Sequence, residues 1–227
     1  MSTRPILYYA LFSPPARACV LTSKLIGLNV DLKAINFNEK EHQSEWFLKL
    51  NPRHTIPVFV EQDVALCDSH AIVTYMVSKY GQPQHESLYP KDWLQRAVVD
   101  ECLYYEASVL SQVVKVFVSK ILYGDEITID RNTINLCYTA YGYLEMYLKR
   151  STYVAGEAMS VADISINTSL ITLHSMVKVD EKRFPKIHAW MQRMQEIPDY
   201  KSVNEQGAEM LFKRFQNALE NNMSRRS

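Results

Sequence analysis

Cysteine and glycine are scarce in this 227-residue chain, with four and six occurrences. Cys19, Cys67, Cys102 and Cys137 are widely spaced, with no CxxC and no Cys/His cluster at metal-ligand spacing. That argues against a disulfide framework or a zinc ribbon and predicts free thiols in a reducing cytosol. Net charge is absent as well, since 25 Lys and Arg balance 25 Asp and Glu. No excess charge therefore recruits nucleic acid or an anionic membrane. No apolar run approaches the roughly 20 residues that span a bilayer. The opening, MSTRPILYYALFSPP, lacks the long apolar region and small-residue cleavage site of a secretory signal. No fixed-period repeat or low-complexity tract occurs. The expectation is a cytoplasmic protein with no metal, nucleic-acid or membrane partner.

What is present is an ordinary globular composition, 47% hydrophobic and 22% charged. The length allows one large or two small domains with a real core. Two periodicities divide it. Ile6-Leu7-Tyr8-Tyr9 is a short β-prone run. Ser13 follows at a helix N-cap position with Pro14 at the first helical position. Ala18, Leu21 and Leu25 have helical spacing, and Gly27 suits a stop. Residues 30–37 read as a strand with broken alternation. A short helix is predicted over 44–50, with Trp46, Phe47 and Leu50 on one side. Asn51-Pro52 ends it, because the residue before proline avoids the α region. Val58–Val60 and Val64–Cys67 read as strands around Glu61-Gln62-Asp63. A helix over 69–79 follows, with Ala71, Ile72, Tyr75 and Met76 inward and Gly81 closing it. The order is βαβαββα over residues 1–81.

Residues 82–92 carry two prolines and little apolar periodicity, so they read as a linker. Residues 93–220 read as an all-helical domain and 221–227 as a short basic, solvated tail. The β-branched runs around Val113–Val118 lie in a long segment without turn signals, so they are assigned to a buried helix. Ser160-Val161-Ala162-Asp163 is a capping box, with Met159 and Ile164 at staple positions; it predicts a core helix with a folding role.

The stretch NPRHTIPVFVEQDVALCDSHAIV, residues 51–73, carries the most information about function. It sets an Ile-Pro bond before a strand, and then Asp68-Ser69 opens a helix. An extended segment with free backbone groups, beside a helix N-terminus with an acidic neighbour, suits a small peptide with its own amine and carboxylate. Read from the residues alone, Ser13 fits a helix cap better than a catalytic group, and one of Asp68 and Ser69 is also a helix cap.

The combination of SPPAR, NPRHTIPV, DSHAI and the later S-x-A-D resembles the cytosolic glutathione transferases. It is similar to the insect delta and epsilon classes, and closer to epsilon because of His70. The resemblance covers roughly residues 4–215. It implies an N-terminal thioredoxin-like α/β domain joined to a C-terminal helical bundle, a homodimer, and glutathione as co-substrate. It implies Ser13 as the residue that stabilises the glutathione thiolate, with Tyr8 and Tyr9 as rivals, since other classes use a tyrosine on the first strand. A free cysteine thiol has a pKa of about 8.5. A hydrogen bond to a charged acceptor, about 1.5–3 kcal/mol, lowers that by roughly one to two units.

The resemblance also implies a cis Ile56-Pro57 bond, with Thr55-Ile56-Pro57 pairing to the cysteinyl part of glutathione. His42 and His54 would reach the glycyl end, Ser69 the γ-glutamyl carboxylate and Asp68 the α-amino group, with His70 adjacent. The family more often has glutamate where Asp68 stands. A hydrophobic electrophile would lie between the domains, against Leu11, Phe12 and Pro14 on one side. Leu110, Val114, Phe117 and Val118 would face it with Met210 and Leu211; Lys115 stands where related epsilon sequences often carry arginine. The alternative is a low-turnover protein of the same fold that binds hydrophobic ligands. A thiol-disulfide oxidoreductase would need a cysteine where Ser13 stands.

Overall fold

The computed structural model describes residues 4–226. Four strands form one sheet in the order β2-β1-β3-β4. Strand β1 (Ile6–Tyr9) pairs in parallel with β2 (Asp31–Ala34), Leu7 lying opposite Leu32. It pairs antiparallel with β3 (Val58–Glu61), Leu7 lying opposite Phe59, and β3 pairs antiparallel with β4 (Val64–Leu66). The β3–β4 turn holds Gln62 at φ 52°. Helix α1 (Pro14–Leu25) joins β1 to β2, α2 (Glu45–Leu50) precedes β3, and α3 (Ser69–Tyr80) follows β4. The order is the expected βαβαββα.

Both sheet faces are covered. Leu7 and Phe59 belong to one apolar core with Leu21, Ile72 and Met76 from α1 and α3. Ala16, Ile35, Phe47, Ile56 and Val58 form a separate cluster under α2. Helix α1 is buried almost all round, from Ala16 through Ser23, because α7 closes its other side. The three-residue stripe expected from its spacing is therefore only part of its buried surface.

Three local expectations change. Strand β2 stops at Ala34 rather than running to 37. There the Asn36 side chain accepts the Asn38 and Glu39 N–H groups and starts a turn. Trp46 is 41% exposed and lies on Tyr8, at 5.4 Å between ring centroids, so α2 buries Phe47 alone. Ala71 is exposed, and Val73 takes its place in the core.

Residues 82–92 contain a 3-10 turn, Pro83–Leu88, whose Leu88 is buried. Beyond it come α4 (Trp93–Tyr105), α5 (Ser111–Phe117), α6 (Arg131–Leu148), α7 (Val161–Met176), α8 (Pro185–Met194) and α9 (Gln206–Arg226). Single π-turns at Glu106–Leu110 and Val118–Leu122 keep helical dihedrals through the joints, so α4 and α5 make one long helix. That is the buried helix expected for Val113–Val118. A third π-turn, Lys201–Glu205, leads into α9. Helix α9 runs past residue 220, and buried Asn222 donates to the Ile121 and Glu126 carbonyls. Residues expected to be a solvated tail are thus partly anchored.

Asp163 is the polar centre of the helical domain. Its carboxylate accepts from the N–H groups of Val154 and Ser160, the Ser160 hydroxyl and the Trp190 indole, each at 2.9 Å. This is the predicted capping box, extended to a neighbouring loop and to α8.

Candidate active site

Ser13 ends a turn in which its N–H donates to the Ala10 carbonyl at 3.0 Å. It occupies the N-cap of α1 with φ −85° and ψ 116° and is 8% exposed, yet its side chain makes no cap hydrogen bond. The sequence explains part of this locally. An N-cap oxygen accepts from the N–H of the second or third helical residue. Pro15 has no N–H to offer at the second, and no acid lies in the first turn. The hydroxyl is left without a protein partner at the positive end of a helix dipole, where an anion is favoured by about 0.3–1 kcal/mol.

A row of rings extends from this point. Phe12 meets Phe37 edge-on at 5.0 Å, and Phe37 stacks on His42 at 4.1 Å and 16°. His54 lies 6.3 Å beyond His42. On the other side the Arg214 guanidinium of α9 sits 4.6 Å above the Phe12 ring. The row places the two expected histidines near one another and joins them to the Ser13 turn. His42 is buried, its Nδ1 has no protein partner, and burial together with His54 lowers its pKa. The ring is therefore neutral at pH 7.

Asn51 shapes the loop before β3. Its buried side chain donates to the Thr55 carbonyl and hydroxyl at 2.8 and 3.0 Å, and its Oδ1 accepts the Arg53 N–H. His54 is held at φ 47°, and the Ile56-Pro57 bond is cis. Thr55 is exposed while Ile56 and Pro57 are buried.

Asp68 caps α3, its Oδ1 accepting the N–H groups of His70 and Ala71 at 3.0 and 3.3 Å. The cap reading of Asp68 is thus realised. Its side chain remains largely in solvent, at 59% exposure. Ser69 is buried and its hydroxyl is uncommitted. His70 turns towards the helical domain, where Nε2 lies 2.9 Å from Glu106 Oε2. That approach is a charge contact rather than an aligned hydrogen bond. Glu106 is buried at the first π-turn and also accepts from the Ser169 hydroxyl. Burial opposes protonation of His70, but Glu106 and Asp68 outweigh it and raise its pKa.

The expected apolar wall divides in two. Leu110, Phe117 and Leu211 are 0, 1 and 3% exposed and lie in the common core. They offer a ligand no open surface. Pro14 and Val114 are buried, Leu11, Phe12 and Val118 are half-buried, and Lys115 and Met210 are exposed. The Tyr8 ring packs towards Trp46 and Phe47. Among the described residues no group of His, Cys, Asp or Glu could hold a metal ion.

Sequence reasoning missed Phe37, Asn51, Glu106 and Arg214. Asn51 had a readable signal, an Asx residue opening a turn before proline. No local pattern joins Phe12 to Arg214 or His70 to Glu106, because those contacts arise only when the domains meet.

Residues 7–84 match the family description "Glutathione S-transferase, N-terminal domain" and residues 108–198 match "Glutathione S-transferase, C-terminal domain". The chain belongs to the glutathione S-transferase family. A relative from Manduca sexta, named glutathione S-transferase 1, is 34% identical, covering 90% of this chain and 94% of its own. An epsilon-class glutathione S-transferase structure from the housefly, Musca domestica, is 40% identical with a TM-score of 0.91, over 95% of this chain and 98% of that one. A glutathione transferase homologue from Drosophila mojavensis, solved with bound glutathione, is 37% identical with a TM-score of 0.90, over 96 and 98% of the two chains. The membership agrees with the insect delta/epsilon resemblance seen in the motifs.

Proposed function

We propose that this glutathione S-transferase family member is an active glutathione transferase. It binds glutathione on the thioredoxin-like domain, residues 1–81, and holds the thiol as a thiolate beside Ser13. It presents that sulfur to a hydrophobic electrophile between this domain and the helical domain, residues 93–220. The observation that carries the reading is the uncommitted Ser13 hydroxyl at the N-terminus of α1.

The Ser13 O–H donates to the sulfur. The Ile56 backbone N–H and C=O beside Pro57 pair with the cysteinyl unit, and Thr55 lines it. Neutral His42, and exposed His54 beside it, receive the glycyl end. Ser69, through its hydroxyl and its own N–H, which the Asp68 cap leaves unoccupied, receives the γ-glutamyl carboxylate. The Asp68 oxygen not used in capping receives the α-amino group. His70 supports this end through Glu106 rather than by contact. The electrophile rests on Leu11, Phe12, Val118 and Met210, with Lys115 and Arg214 at the rim. The thiolate attacks the electrophilic carbon, a C–S bond forms, and halide or another leaving group departs with the bonding pair.

Exposed apolar side chains on β4, α4 and α6, including Val64, Leu94, Tyr104 and Met146, support a homodimer that covers them. The described residues contain no helix long and apolar enough to cross a membrane. The free thiols suit a cytoplasmic location, and detoxification is the role that membership of the family suggests.

The test is conjugation of glutathione to an aryl halide, with the ultraviolet thiolate signal of bound glutathione followed against pH. The native protein is expected to turn over and to depress the thiol pKa, and Ser13→Ala to lose both. A depressed pKa in both proteins would shift the donor role to the helix terminus or a tyrosine. Saturable glutathione binding without depression or turnover would favour the low-turnover ligand-binding protein. No glutathione binding would sink the reading.

A further inference from the structure

Arg17 is the one guanidinium wholly sealed inside the described protein, at 0% exposure. It lies one turn after Ser13 in α1, and its N–H donates to the Ser13 carbonyl. All five side-chain N–H donors are used. Nε donates to Asn204 Oδ1 at 3.0 Å; Nη1 to the Leu11 and Phe12 carbonyls at 3.0 and 3.3 Å; Nη2 to the Thr168 carbonyl at 2.8 Å and Thr172 Oγ1 at 2.6 Å. Every acceptor is neutral. A buried charge is ordinarily paired with an opposite one, and none of the described ion pairs reaches this one. Burial lowers its pKa to about 9, which still leaves it cationic at neutral pH.

The distribution of those acceptors is informative. Two are the carbonyls of the two residues immediately before Ser13. The other three lie on α7 and on the π-turn leading into α9, so one side chain joins the Ser13 turn to two elements of the helical domain. Helix α9 comes close enough only because residue 207 is glycine. A Cβ there would stand 2.2 Å from the Leu11 carbonyl oxygen and 2.4 Å from Arg17 Cδ. Asn204 in turn donates to Asn167 Oδ1 at 2.8 Å, which also accepts from Tyr200, so the far side of the clamp is braced. Lysine could not replace the fork, having three donors on a single nitrogen.

We propose that Arg17 is a positioning residue for the thiolate site: by holding the Leu11 and Phe12 carbonyls inward, against α7 and the start of α9, it fixes the turn that aims the Ser13 hydroxyl at the sulfur. This rests on the proposed transferase reading. The clamp turns two carbonyl oxygens away from the site, where their partial negative charge would oppose a thiolate. It also keeps an uncancelled positive charge beneath the N-terminus of α1, adding to the helix dipole. The pose of the donor is set by contacts in the other domain.

The experiment is titration of bound glutathione by its ultraviolet thiolate signal in the native protein, Arg17→Lys, Thr172→Val and Gly207→Ala, with kcat, KM for glutathione and Tm. Thr172→Val removes one acceptor at nearly constant volume, and Gly207→Ala pushes on the turn from the far side, so a poorly folding Arg17→Lys does not end the test. Asp163→Asn serves as a destabilised control remote from the turn. The clamp predicts a bound-thiol pKa raised by about half to one unit and kcat at neutral pH lowered roughly three- to tenfold. KM should change less than about twofold, and the rate should recover at high pH. Asp163→Asn should lower Tm without moving the thiol pKa. An unmoved thiol pKa in folded Thr172→Val and Gly207→Ala, with the native pKa depressed, would make Arg17 merely structural. A native protein without bound thiolate would overturn the transferase reading itself, and the clamp's role with it.

Discussion

Helices α1 and α7 both begin after a serine with extended backbone, Ser13 at φ −85° and ψ 116° and Ser160 at φ −125° and ψ 172°. At Ser160 both N–H and hydroxyl go to Asp163, three residues on, and the site is closed. At Ser13 no acid follows, Pro15 removes the donor at the second helical position and the hydroxyl makes no cap bond to the third, so it stays free. The start of α3 lies between these cases: Asp68 commits one oxygen to capping and exposes the rest. The comparison teaches that an N-cap residue type does not by itself decide between stability and chemistry. The residues at the next three positions do, by supplying or withholding local partners.

The largest expected effect comes from breaking the closed end. Asp163→Ala orphans four buried donors, each costing about 1–3 kcal/mol. Their sum is comparable to the whole stability of a domain, about 5–15 kcal/mol. The variant is expected to be insoluble or to unfold at much lower denaturant, read by urea titration of the tryptophan fluorescence. A loss below about 2 kcal/mol would show that the network relaxes around the gap. Breaking the open end should do the reverse. Ser13→Ala removes a hydrogen bond to a charged acceptor, about 1.5–3 kcal/mol, hence roughly 10- to 150-fold in kcat/KM for aryl-halide conjugation. Its urea midpoint should be within error of the native one, since no cap bond is lost. A stability loss of a full kilocalorie with unchanged turnover would reverse the assignment of the two ends.

This contrast also shows what was legible in the chain. The β1, α1, β3, β4 and α3 elements were readable because proline, glycine and short β-branched runs fix them within a few residues. The closed cap was readable because both partners lie within one turn. The open site was readable only by resemblance: nothing local predicts a cis Ile56-Pro57 bond, which most X-Pro bonds do not adopt. Leu110, Phe117 and Leu211 were misjudged as an open wall because an apolar residue on a helix reads the same whether it faces core or ligand. Arg214 over Phe12, Glu106 beside His70 and the acceptors of Arg17 were illegible for a different reason. Those contacts, with Thr168, Thr172 and Asn204 for Arg17, join residues more than thirty positions apart that meet only when the two domains pack.

Ser160→Ala sharpens the comparison more gently. It keeps the backbone N–H to Asp163 but deletes the hydroxyl bond, so a loss of about 1–2 kcal/mol is expected in the urea midpoint, with turnover unchanged. If turnover falls in proportion to stability, the two helix starts are coupled rather than separate.

The smallest effect concerns the start of α3, where the two designs meet. His70 is held between Asp68, at 3.8 Å, and buried Glu106, at 2.9 Å, and its pKa is raised although burial opposes it. A group whose folded pKa exceeds its unfolded value stabilises fully below the unfolded value, about 6.5 for histidine, and loses that contribution as pH rises through the folded value. The native protein should therefore exceed His70→Gln in stability below about pH 6.5, where the charged ring meets both carboxylates. The gap should shrink as pH rises above that value. Urea midpoints of both proteins at a series of pH values measure it. A gap that widened with pH would mean that neutral His70, packed between the domains, is the stabilising form. The α3 start would then belong with the closed end of α7 rather than with the charged, ligand-facing end of the site.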